Sequence, residues 1–148
     1  MKYLWLMFIL IIVSCQQQDK QINQLQKRVD SLQTLVDKSY KPGFGELMNL
    51  VYHHFDEMYR AGQNANWKYA EFEIHEMQEA FDNIATYQAQ RKETAQLKMI
   101  FPALEEMKNT LKNPGAENFN KSYINILNTC NACHKQTGYD FIKITKPE

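Results

Sequence analysis

The amino-acid sequence predicts an all-α protein: a four-helix bundle preceded by a short N-terminal coiled-coil helix. Three observations carry that expectation. Apolar residues recur at alternating steps of three and four along most of the 148 residues, the spacing that gathers them on one face of a helix. Only 5 Gly and 4 Pro occur, so the periodic segments are long and the breaks between them few. Runs of β-branched residues are scarce. The 17 Lys and Arg balance 17 Asp and Glu, which leaves no field to draw in anionic polymers and argues against a nucleic-acid partner.

Residues 1–14 open the chain with one Lys and an almost unbroken apolar run, Tyr3-Leu4-Trp5-Leu6-Met7-Phe8-Ile9-Leu10-Ile11-Ile12-Val13. The run is short for a bilayer span and has the length of a signal-peptide core. It ends in Ile12-Val13-Ser14-Cys15, which resembles the bacterial lipobox: two aliphatic residues, a small residue, then the Cys that receives lipid at the new N-terminus. That resemblance implies a lipoprotein signal peptide over 1–14 and lipidation of Cys15. It also implies a place in the bacterial cell envelope, facing the periplasm or on the cell surface. A plain signal peptide with an incidental Cys is the alternative, and a true membrane span is a weaker one.

Residues 15–41 hold a stalk and a linker. Ile22, Leu25, Val29, Leu32 and Val36 keep the a/d register of a coiled coil, and the residues between them are polar except Leu35. So narrow a stripe cannot build a globular core, but it can seal against copies of itself. Homo-oligomerisation through residues 22–36 is one expectation and a solitary helix or tether the other, because about three heptads is marginal for independent association. Pro42 and Gly43 close the linker Lys38 to Gly43.

Four helical segments fill residues 42–148. The first spans about Phe44 to Ala61 and ends at Gly62, with Leu47, Val51, Phe55 and Met58 on one face. The second starts near Asn66 and aligns Trp67, Ala70, Ile74, Met77, Phe81 and Ile84. Its Glu71, Glu73, Glu76, Glu79 and Asp82 read as a solvated acidic flank, which could also dock a basic partner. The third covers about Glu93 to Lys112, where Pro102 predicts a kink or a broken start. Asn113-Pro114-Gly115 ends it. The fourth carries Phe119, Tyr123, Ile126, Leu127, Cys130, Cys133 and His134 on its core stripe.

Cys130-Asn131-Ala132-Cys133-His134 is a C-x-x-C-H sequence, the attachment signature of one covalent haem c. Two thiols three residues apart on a helix point the same way, so each can join one porphyrin vinyl group. His134, four residues after Cys130, shares that face and can reach the iron as axial ligand. Half of a zinc site is the bland alternative, but no second Cys/His cluster supplies the remaining ligands.

Four helices with C-x-x-C-H near the C-terminus resemble the cytochrome c-prime family. The run from Gly45-Glu46-Leu47-Met48 through His53-His54, Ala61-Gly62 and Asn66-Trp67 is similar to a group of bacterial four-helix, monohaem c-type cytochromes. So is the ending Cys130 to His134 followed by Phe141 and Ile142. The likeness covers about Phe44 to Ile144 and implies electron transfer or gas binding at the iron. One departure stands out: Lys135 follows His134 directly, whereas cytochromes c-prime usually carry the basic residue a few positions further on.

The second face of the iron decides between these functions. His54 lies at one margin of the first helix's apolar stripe and Met48 at the other, while Met58 sits near its centre and His53 faces away. His54 or Met48 is the candidate sixth ligand, with Met58 a further thioether; an open iron is the third possibility. His75 has no role in this scheme. Two strong axial ligands suit electron transfer with redox partners of the envelope and no catalysis. An open position suits NO or CO binding, as in a five-coordinate cytochrome c-prime-like protein. A tethered scaffold with structural haem is the remaining reading.

Overall fold

The first unit of the chain is one long helix, and the second is a packed set of shorter ones. In the computed structural model the backbone is described for residues 2–147, and side chains for 18–36 and 39–147. The chain divides into Met1–Lys41 and Pro42–Glu148. Every regular element among the described residues is helical.

Helix α1 runs from Lys2 to Ser39 without interruption. The signal-peptide reading of residues 1–14 and the lipidation of Cys15 concern side chains outside the described residues. Among the described residues no helix is long and apolar enough to cross a membrane. Ser39 and Tyr40 close the helix by bonding back to the Val36 carbonyl, through Oγ at 3.0 Å and backbone N–H at 2.8 Å.

The second unit holds α2 (Phe44–Gln63), α3 (Trp67–Tyr87), a 3₁₀ turn (Thr94–Met99), α4 (Phe101–Lys112) and α5 (Ala116–Thr137). Glu46 starts α2 by accepting the Gly43 backbone N–H at 3.3 Å, and Asn66 caps α3 by accepting from Tyr69 N at 3.4 Å. Pro102 falls in the first turn of α4, where its missing N–H costs nothing. The residues before it wind into the 3₁₀ turn, so the third segment is broken as its Pro implied. Helix α2 packs on α3 and α5, and α4 on the same two.

Two expectations need correction. Gly62 does not end α2, which continues to Gln63; the left-handed residue of the following turn is Ala65, at φ 53°. Gly62 is needed instead for close approach. A Cβ there would lie 2.1 Å from Phe119 Cε1. Nor is the acidic side of α3 wholly solvated. Glu73 is only 3 % exposed because its carboxylate meets His54 of α2, Nδ1 to Oε2 at 2.7 Å.

The α2–α5 contacts define an antiparallel register. Phe119 sits against Gly62, and one or two turns on, Tyr123 stacks on Phe55 with ring centroids 4.3 Å apart. Continuing by helical turns brings the start of α2, with Met48, beside the end of α5, with Cys130. Met58, Ile74, Met77, Ile84, Leu104, Met107 and Ile126 are fully buried with Phe55, Phe119 and Tyr123. Burying each such side chain stabilises by about 1.5–3 kcal/mol before entropy is counted. The net effect is to fix which helix ends meet.

Candidate cofactor site

A cavity of about 510 Å³ opens where α2 begins and α5 ends. Cys130, Cys133, His134 and Met48 all line it. Its walls are mostly carbon, from Phe44, Val51, Phe55, Phe81, Leu97 and Ile100. The volume falls in the range of sites that enclose a sizeable organic ligand, and Arg91, Glu93 and Tyr139 give the wall a polar side. Helix α4 itself lends no side chain; the 3₁₀ turn and the C-terminal tail stand in its place.

Helical geometry alone aligns the three α5 groups, since residues i, i+3 and i+4 share a face. Burial pushes the Cys130 thiol up to about 12, with the neighbouring Cys133 adding to the shift. Cys133 is raised too, again by burial. Both are free cysteines and half-buried. Among the described residues, no three His, Cys, Asp or Glu side chains gather as an ion site.

The histidine is oriented by the tail that follows it. Gly138, at φ 87°, ends α5 in a Schellman turn: Tyr139 N donates to His134 O at 2.7 Å and Gly138 N to Lys135 O at 3.3 Å. The chain then turns back along the cavity. His134 Nδ1 lies 2.9 Å from the Ile142 carbonyl oxygen. A carbonyl only accepts, so Nδ1 carries the proton and the Nε2 lone pair stays available as a ligand. Asn131, inside the C-x-x-C-H sequence, clasps the same tail with two bonds. Its Nδ2 donates to Ile144 O at 2.9 Å, and its Oδ1 accepts from Ile144 N at 2.8 Å. Tyr139, Ile142 and Ile144 become cavity wall as a result.

A polar cluster borders the cavity. The Arg91 guanidinium donates to Glu93 through Nε at 3.2 Å and Nη2 at 3.3 Å. Tyr139 O–H donates to Glu93 Oε1 at 3.0 Å. Arg91 holds the Glu93 carboxyl down to about 2, and Tyr139 reinforces that against the opposing effect of burial. Arg91 also lies over the Phe44 ring, 4.9 Å from its centre. None of this cluster was singled out from sequence. Of the tail, only Phe141 and Ile142 entered, as part of the family resemblance, although Gly138 at a helix end signals a chain reversal.

The remaining candidates lie elsewhere. His54 is bonded to Glu73 and is not part of the cavity wall. Met58 is fully buried in the core, with no exposed surface. His53 is exposed and edge-on to His54, ring centres 5.3 Å apart. His75 pairs with Glu79 on the surface of α3. The nitrogen and sulfur donors on the cavity wall are one imidazole, two thiols and the thioethers of Met48 and Met77. That donor set fits an iron porphyrin attached through sulfur, with an axial nitrogen on one side and a thioether within the same enclosure.

No protein-family model matches the chain, and no curated protein or solved structure is significantly similar to it.

Proposed function

We propose that residues 42–148 form a four-helix c-type cytochrome, similar in plan to cytochrome c-prime, that carries electrons and has no catalysis of its own. One haem c is held by thioether bonds from Cys130 and Cys133. His134, through Nε2, and Met48, through its thioether, would hold the iron. Lipid on Cys15 anchors the chain to the bacterial cell envelope, where membrane-associated redox proteins are its partners. The single observation that carries this reading is the meeting of Cys130, Cys133, His134 and Met48 on one largely apolar cavity.

When bound, haem supplies an iron that alternates between two oxidation states. The chain does the rest. Cys130 and Cys133 would hold the group covalently, each sulfur joined to one carbon of a vinyl group and the thiol hydrogen to the other. His134 donates Nδ1–H to Ile142 O, which fixes its tautomer and strengthens Nε2 as a donor. The aromatic and aliphatic walls exclude water and keep the local dielectric low, which raises the cost of charge and so tunes the potential. A thioether ligand favours the reduced state more than a second imidazole would. His54 is the weaker candidate because its side chain is not part of the cavity wall.

The test is the full chain made in a host able to mature cytochromes. A haem that survives denaturation, with a low-spin spectrum unchanged by CO, supports the carrier. A high-spin spectrum that shifts with CO transfers the reading to gas binding. Colourless protein whose Cys130 and Cys133 both react with an alkylating agent removes the haem altogether.

A further inference from the structure

The stalk stripe lies on the surface of α1. Ile22, Leu25, Val29, Leu32 and Val36 are each 55–61 % exposed, on a helix whose backbone is continuous through them. Single exposed apolar residues need no explanation; five in one unbroken a/d register do. We propose that α1 pairs with α1 of a second copy as a parallel, in-register, two-stranded coiled coil. The inference is independent of the haem reading.

Residue choice sets the number of strands. All three a positions, Ile22, Val29 and Val36, are β-branched, and both d positions, Leu25 and Leu32, are Leu. In parallel coiled coils, β-branched side chains at a and Leu at d pack best as two strands, whereas Ile at both shifts the preference to three or four.

Register sets the direction. Aligned in parallel, the two helices stack all five apolar residues, each on its own copy. An antiparallel pair must match a to d. Its two best alignments stack four layers and leave Val36 facing Gln18, or Ile22 facing Ser39. The flanking positions agree, since Gln21 would meet Gln26 and Arg28 would meet Gln33 across the parallel seam, with no like charges opposed. Leu35, 59 % exposed at a g position, widens the seam at its C-terminal end.

Sedimentation of the full chain in detergent, over a dilution series, reads the stoichiometry. The expected protein mass at the concentrated end is twice that of a single chain, and Val29→Asp should halve it. Helical content by circular dichroism confirms that this variant keeps its second unit folded. Leu25→Ile with Leu32→Ile should move the mass to three or four chains. In a chain whose Cys15, Cys130 and Cys133 are replaced by Ser, Ile22→Cys should form an oxidative cross-link to itself; in either antiparallel alignment the two positions are at least ten residues of helix apart. A single-chain mass at every concentration, or a trimer from the parent sequence, overturns the two-stranded assignment. A dimer without the Ile22→Cys cross-link overturns the parallel one.

Discussion

Replacing Gly62 with Ala tests the register that brings the cavity residues together. The new Cβ would stand 2.1, 2.2 and 2.7 Å from Phe119 Cε1, Cζ and Cδ1, where ordinary contact begins at 3.4 Å. Clearing the nearest atom requires a movement of about 1.3 Å, the difference between 3.4 and 2.1. Phe119 has little freedom to yield. It is fully buried, with Trp67 at 5.7 Å and Tyr123 at 6.3 Å between ring centres. Forcing a methyl into such packing costs about 1–3 kcal/mol. Helix propensity opposes that cost, since Ala for Gly gains at most about 1 kcal/mol. With the overlap this severe we expect a net loss of about 2 kcal/mol, which lowers the midpoint of thermal unfolding by roughly 10 °C in a domain of this size. Circular dichroism melts of the parent, Gly62→Ala, Phe119→Leu and the double variant form the cycle. Leu lacks the two nearest ring atoms, so the double variant should be more stable than the sum of the singles by about 1 kcal/mol. A Gly62→Ala melt at or above the parent's would show that propensity alone governs the site and would refute the close packing of α2 on α5.

The other predictions concern the cavity. Met48→Ala should open the iron, giving a spectrum that changes on CO addition, while His54→Ala should leave the spectrum as it was. The reverse pattern would transfer the ligand to His54. Asn131→Ala removes two hydrogen bonds, each with a net value of about 1 kcal/mol. The tail amide of Ile144 should then exchange with deuterated water about ten-fold faster or more, and the reduction potential should shift as the Ile142–His134 bond loosens. Unchanged exchange would mean that the tail is held by something else. The Glu93 carboxyl, lowered from 4.5 to about 2 in the folded state by Arg91, contributes stability fully present above 4.5 and lost as pH falls toward 2. A series of melts across that window should show a steeper decline for the parent than for Glu93→Gln; parallel curves would contradict the role given to Arg91. Cys15→Ser should release the protein from membrane fractions, and retention would sink the lipid anchor.

The helices, and the shared face of Cys130, Cys133 and His134 on α5, were legible in the residues themselves. Periods of three and four are a local property, and so is the alignment of Cys130, Cys133 and His134, because one helix turn relates them. The broken start at Pro102 was legible for the same reason: a ring without an N–H acts on its own helix. The a/d stripe of α1 also belongs here, since side-chain branching at successive positions is written in the sequence.

Tertiary structure decided what faces those groups from other elements. Met48 and His54 have similar standing on a helical wheel. Only packing shows that α3 delivers Glu73 to His54 and that α2 runs antiparallel to α5 with Gly62 against Phe119, leaving Met48 at the cavity. Nothing local announces that Arg91, Glu93 and Tyr139 meet, or that Asn131 clasps Ile144, because those partners are brought together by the fold. A helix wheel records which side of one element is apolar; which neighbour that side meets depends on how whole elements dock, and docking is a sum over many distant contacts.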